Sequence, residues 1–198
     1  MAERMKMRAG WALYLCLTGL SGMTFFPERA RAAPDEKVEV LQVGAHLPVL
    51  SGDYLSGRKA VLPDAAKDKV ALLALGFTYE SRHAVEAWTG RFRKDFGREA
   101  AAAFYEIPMI GGAGRIGRWF IDRGMRKGTP KELHENVITV YGGTGPWKRR
   151  LNFKEPDAAY LILIDRTGTV RWLHAGKFDE SIYGDLGSMV RRVSDEQP

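Results

Sequence analysis

Residues 70–96 read VALLALGFTYESRHAVEAWTGRFRKDF, and this stretch decides the fold. Val70 to Phe77 is an unbroken apolar run, the pattern of a strand covered on both faces in a parallel or mixed sheet. After Thr78 the period changes. Val85, Trp88, Phe92 and Phe96 recur at spacings of three and four, which predicts an amphipathic helix from about Ser81 to Phe96, ended by Gly97. A doubly covered strand running into an amphipathic helix is the opening of an α/β architecture.

Downstream, Ala102 to Ile107 reads as a second strand, broken by Pro108. A turn over Gly111 to Gly114 leads into a short Arg-rich helix holding Ile116, Trp119 and Phe120. Val137 to Tyr141 is β-branched and aromatic, either a short strand or an extended linker before the turn Gly142-Gly143-Thr144-Gly145-Pro146. Residues 160–174, YLILIDRTGTVRWLH, contain two apolar strands, Tyr160 to Ile164 and Thr169 to His174. The turn Asp165-Arg166-Thr167-Gly168 between them predicts an antiparallel hairpin. Ile182, Leu186, Met189, Val190 and Val193 form one helical stripe for a final helix over that hairpin. Upstream, Lys37 to Val43 alternates as a strand would, and Arg58 to Leu62 reads as another. The expected order, β-α-β-α-β-β-α with an extra N-terminal strand or hairpin around a central mixed sheet, is that of the thioredoxin-like folds. There is no internal repeat, and residues 33–198 are expected to form one such domain.

A composition of 45% apolar and 27% charged residues over 198 positions excludes disordered and fibrous classes. The first 32 residues stand apart. Arg4, Lys6 and Arg8 precede an apolar run, Ala9 to Phe26, which Ala30-Arg31-Ala32 closes in the manner of a secretory signal peptide cut between Ala32 and Ala33. The expected location is therefore periplasmic, or the inner membrane if the leader stays attached as an anchor. Losing the leader removes five bases and two acids, so the formal charge falls from +6 to +3. That surplus, with no reading motif, does not point to nucleic acid. The single cysteine, Cys16, lies inside the leader, where bulky Tyr14 and Leu15 do not suit a lipid-acceptor site. The mature chain then has no thiol for a disulfide, a zinc-thiolate centre or thiol catalysis.

In a thioredoxin-like fold the cysteine pair lies between the first core strand and its helix, where the helix N-terminus lowers a thiolate pKa. Here that window holds Thr78, Tyr79, Glu80, Ser81 and His83, with Ser81 and Ala84 roughly at the cysteine positions. Ser81 and His83 are two residues apart and do not share a helix face, so Ser81 reads as an N-cap rather than an activated nucleophile. No two histidines have the short spacing of a helical metal site, although Glu80, His83 and Glu86 recur at intervals of three. Gly112-Ala113-Gly114-Arg115-Ile116-Gly117 fits a dinucleotide fingerprint, but mid-chain and after a strand broken by proline. No catalytic residue, metal or cofactor is assigned. The same helix offers Arg115, Arg118, Trp119, Arg126 and Lys127, with Arg123, as a basic and aromatic surface for a protein client or a membrane. The competing reading turns its aromatics into the core. Trp147-Lys148-Arg149-Arg150 repeats this chemistry in an expected loop, and Trp88 and Trp172 are expected core residues.

Several segments together resemble a known family: Val70 to Phe77, Glu86-Ala87-Trp88-Thr89-Gly90-Arg91-Phe92, Ile107-Pro108, the Trp119 helix, Thr139 to Gly143 and Ala159 to Asp165. Thr167-Gly168-Thr169-Val170-Arg171-Trp172 and Ala175-Gly176 complete the set. They are similar to the ATP-synthase assembly factor 10 family, over roughly Gly44 to Val193. The resemblance implies a thioredoxin-like protein without the cysteine pair, acting as a chaperone for a membrane subunit of the ATP synthase. Mitochondrial members act on the matrix side, whereas the leader here would place this chain on the opposite face of the membrane. The expected function is thus a redox-inactive binding or chaperone-like factor at the membrane. The alternative is a redoxin-type enzyme or ligand carrier with non-thiol chemistry at the helix start, which requires an open cleft there.

Overall fold

The apolar run of the opening stretch is strand β3, Val70–Gly76, and every one of its residues is buried. The computed structural model describes residues 38–112 and 114–196, so the expected leader and the Ala32/Ala33 cleavage site lie outside the described residues. β3 is central because it pairs on both edges, parallel with β4 (Ala102–Ile110) and antiparallel with β6 (Ala159–Ile164). Its alternate side chains enter two different cores. Ala71, Leu73 and Leu75 pack with Ile107, Ile138 and Ile162 on one face. Val70, Leu72 and Ala74 pack with Trp88, Phe92, Leu161 and Leu186 on the other. A strand covered on both sides has no polar face, which is why its sequence does not alternate.

The remaining strands are β1 (Leu50–Tyr54), β2 (Lys59–Leu62), β5 (Ile138–Tyr141) and β7 (Val170–Gly176), giving the sheet order β2-β1-β5-β4-β3-β6-β7. Helix α1, Ser81–Phe96, matches the expected bounds, and with α4, Glu180–Asp195, it covers the second face. The Asp179 carboxylate caps α4 by accepting the N–H groups of Ser181 and Ile182. β6 and β7 form the expected antiparallel hairpin, with Gly168 at φ +84° in its turn.

Three sequence expectations need correction, and one alternative left open, at Val137 to Tyr141, is decided. The described part of Lys37 to Val43 forms no strand. Its amides are tied elsewhere, Leu41 N–H to Arg150 O at 2.8 Å and, just beyond, Gly44 N–H to Val170 O at 2.8 Å. Val40 and Val43 are exposed while Leu41 between them is buried in the first core, so alternate residues do not share one buried face, and the N-terminal hairpin is β1–β2 instead. The second strand is not broken at Pro108 but runs to Ile110. The missing proline N–H leaves the pairing with β5 in two pieces, a bridge at Glu106 and Val137 and a ladder from Met109 and Val140. The Val137 region is a strand and not a linker. The segment expected as a loop is helix α3, Thr144–Arg150, which follows Gly142 and Gly143, both at positive φ. Trp147 is buried in the first core with Ile138 and Val140.

Candidate functional site

At the start of α1 two hydroxyls bond each other's backbone. Thr78 Oγ1 accepts the Ser81 N–H at 3.1 Å, and Ser81 Oγ accepts the Thr78 N–H at 3.2 Å while donating to Thr78 O at 2.8 Å. Thr78 Oγ1 therefore satisfies the first helical N–H from outside the helix, whereas Ser81, expected as the cap, is the first helical residue, and Glu80 in the cap position makes no side-chain cap bond. Ser81 is 0% exposed, and a Cβ on Gly76 would stand 2.6 Å from its Oγ, so glycine there makes room for it. Thr78 Oγ1 also donates to Asp157 Oδ1 at 2.9 Å, joining the helix start to the loop before β6.

The other window residues point to solvent. Tyr79 is exposed beneath the Arg82 guanidinium, 3.6 Å from the ring centroid. Glu80 and His83 are exposed with a 3.9 Å contact, and the His83 ring nitrogen lies 3.2 Å from Arg82. No described contact joins Ser81 to His83, so the hydroxyl meets no base. Among the described residues no group of three His, Cys, Asp or Glu is placed to hold a metal ion.

One cleft lies away from the helix start. A cleft of about 490 Å³ sits at the far end of α1, around Phe96, Gly97 and the start of β4, with Arg58, Arg93, Tyr105 and Glu135 on its walls. Arg58 and Glu135 pair across its rim, and Tyr105 donates to Ala65 O at 2.8 Å. None of the window residues Thr78 to His83 lines this cleft, so it is not the one that non-thiol chemistry at the helix start requires.

Behind the window, Trp88 is enclosed by aromatic rings, with Phe178 at 5.1 Å, His174 at 5.5 Å, Tyr183 at 6.3 Å and Trp172 at 6.5 Å between centroids. Burial holds the His174 pKa below its ordinary value, and the nearby Asp179 carboxylate opposes that shift. Trp172, expected in the core, is only half-buried. Within the same layer the Glu106 carboxyl is pushed above the usual carboxylate range by burial. Thr89 Oγ1 lies 2.6 Å from Glu106 Oε1 and 2.9 Å from Val85 O, with a single hydroxyl proton for both. A protonated Glu106 that donates to Thr89 lets both bonds form.

Helix α2, Arg115–Gly128, is fourteen residues, longer than its sequence promised. The reading that turns its aromatics inward is overturned: Ile116 is 76%, Trp119 52% and Phe120 63% exposed. The contacts that hold it are polar. Tyr141 Oη donates to Asp122 Oδ1 at 2.6 Å and Arg118 O at 3.3 Å, and Arg126 Nε donates to Leu55 O at 2.7 Å. Tyr141 lies on the opposite sheet face from Val140, which packs with Trp147, so the basic ends of α2 and α3 do not share one face. An added Cβ on Gly112 or Gly114 would meet nothing within 4 Å, so neither glycine of the fingerprint-like loop serves a close approach within the fold. Of the basic and aromatic residues expected to meet a partner, Trp119 and Lys127 lie on the outward face. Arg118 stacks on Tyr141 at 4.9 Å, and Arg126 is tied to Leu55. Of the Arg115 side chain nothing is described. Phe120 and Arg123 belong to the outward face too, a placement that helical spacing from Trp119 could have found.

No protein-family model and no curated protein matches this sequence. Solved structures do resemble it. A DsbE thiol:disulfide interchange protein of Chlorobium tepidum aligns with TM-score 0.53 at 16% identity, over 77% of this chain and 98% of its own. BsSco, a member of the Sco family of cytochrome c oxidase assembly proteins, aligns with TM-score 0.55 at 13% identity, over 80% and 99%. The exposed lipoprotein thioredoxin Etrx1 of Streptococcus pneumoniae aligns with TM-score 0.50 at 16% identity, over 71% and 99%. The chain has the thioredoxin-like fold.

Proposed function

We propose that this protein is a thioredoxin-like binding factor that works without thiol chemistry, a chaperone-like protein of the assembly-factor type acting at a membrane after export. The observation that carries this reading is the start of α1, where the fold's redox pair would stand. Ser81 is fully buried there and its hydroxyl is consumed by Thr78, while the only cysteine of the chain, Cys16, belongs to the leader. A thiolate is the nucleophile of disulfide exchange, and no other side chain replaces it in that step. The sequence resemblance to the ATP-synthase assembly factor 10 family supports an assembly role, and so does the likeness to BsSco, itself a member of a family of assembly proteins. The apolar run closed by Ala30-Arg31-Ala32 supports export.

The test is insulin reduction and peroxide consumption by the purified protein, run beside its ability to keep a membrane-protein client from aggregating. Background rates in the first two, with suppression in the third, are expected. Turnover that disappears in Ser81→Ala or His83→Ala would establish an enzyme and overturn the proposal.

A further inference from the structure

Helix α2 is amphipathic in the wrong direction for a core helix. None of its described residues is buried, and neither hydrophobic core contains any of them. At about 100° per residue, Ile116, Trp119, Phe120, Arg123 and Lys127 fall within one arc of about 100°. That arc faces solvent. Its apolar members fill the first turn and a half and its cations the second half, with the Arg123 guanidinium 5.3 Å from the Trp119 ring. Trp119 and Phe120 meet edge to face at 4.8 Å, so the two rings form one projecting ridge. The helix has five cations and one acid, and that acid, Asp122, is turned inward onto the Tyr141 hydroxyl. The outward arc therefore carries positive charge and no negative charge.

We propose that this arc docks on an anionic lipid surface, with Ile116, Trp119 and Phe120 entering the headgroup region and Arg123 and Lys127 meeting lipid phosphates. Two features of the helix select lipid over a protein partner. The anchors project from a convex ridge, and a fluid interface accepts such a ridge without a preformed groove. The arrangement is also that of an interfacial helix: tryptophan sits at headgroup depth, and long basic side chains extend their charge back to the surface. Charge complementarity fixes the kind of lipid, since a face without acids gains from anionic headgroups and not from neutral ones. The inference deepens the membrane location proposed above, but its test is independent of the thiol question.

The full chain is mixed with vesicles of phosphatidylcholine alone, or of phosphatidylcholine and phosphatidylglycerol at two to one, each containing brominated lipid as a contact quencher. The fluorescence difference between the parent and Trp119→Phe reads Trp119 alone, because Trp11 of the leader and the other tryptophans cancel. Trp119 is expected to be quenched on the anionic vesicles and not on the neutral ones. Removing two cations near the surface in Arg123→Gln/Lys127→Gln should weaken partition to anionic vesicles roughly 25-fold with an unchanged melting temperature. High salt should weaken it as well. Trp119 left unquenched on anionic vesicles, or quenched equally on both kinds, overturns the proposal and gives the face to an acidic protein partner. Equal partition of the double variant and the parent also overturns it. Any of these results would leave the non-thiol reading standing, whereas thiol-type turnover would leave this one.

Discussion

Replacing Trp88 by alanine tests the packing that joins α1 to the hairpin and α4. The side chain is 0% exposed, encircled by Trp172, His174, Phe178 and Tyr183, and its Nε1–H donates to Gly176 O at 3.3 Å. An indole buries about 200 Å², which at about 25 cal/mol per Å² is about 5 kcal/mol of transfer free energy. The alanine left behind recovers part of that, and partial collapse of the surrounding rings recovers more. The hydrogen bond is long, so leaving the Gly176 carbonyl without it adds at most about 1 kcal/mol. The expected loss is about 4 kcal/mol, a large share of the 5–15 kcal/mol typical of a domain. In a domain of this size that lowers the melting temperature by about 8–16 °C. Thermal unfolding followed by circular dichroism measures it, with Trp172→Ala as a comparison. Trp172 is half-buried, so its loss should be about 1–2 kcal/mol. If Trp88→Ala melted within about 4 °C of the parent, or if Trp172→Ala were the more damaging change, the enclosure of Trp88 would not be what holds these elements together.

Three further outcomes are expected. Glu106 keeps its proton in the folded chain at pH values where the unfolded chain has released it. Its contribution is therefore fully present below about pH 4.5 and is lost as pH rises toward the folded value. His174, with a lowered pKa, acts in the opposite sense and destabilises as pH falls below about 6.5. Urea titrations across pH 4–8 should show Glu106→Gln removing the first slope and leaving the second, and an unchanged profile would mean that Glu106 is ionised in the fold. Thr78→Val removes the hydroxyl that accepts the Ser81 N–H at the start of α1 and should cost about 1 kcal/mol without disturbing vesicle binding, checked by urea unfolding beside vesicle co-sedimentation. Intact mass of the exported protein should begin at Ala33, and a mass retaining Met1 to Ala32 would mean an anchored chain.

Wherever burial follows from local periodicity, the sequence alone determined the outcome. The run Val70 to Phe77 determined a central strand, because a strand with two covered faces has no position that tolerates a polar group. The stripe Val85, Trp88, Phe92 and Phe96 determined α1, since four residues at helical spacing have only one way to reach a common core. The absence of a thiol after Cys16 was likewise a matter of sequence, as no folding creates a missing nucleophile. What periodicity cannot say is whether a face finds a partner. Val38 to Val43 alternates like a strand, yet its neighbours in space offer scattered acceptors instead of a continuous edge. Trp147 and Trp119 both sit among cations. Trp147 is buried because α3 lies over Ile138 and Val140, and Trp119 is exposed because α2 is anchored from behind by Tyr141 and Leu55. Ser81 read as a cap, but which hydroxyl accepts the first helical N–H and which is buried depended on the approach of Gly76 and Asp157, residues five and seventy-six positions away. Only tertiary structure decides such questions, because the free energy of an apolar or polar side chain depends on what distant segments bring against it.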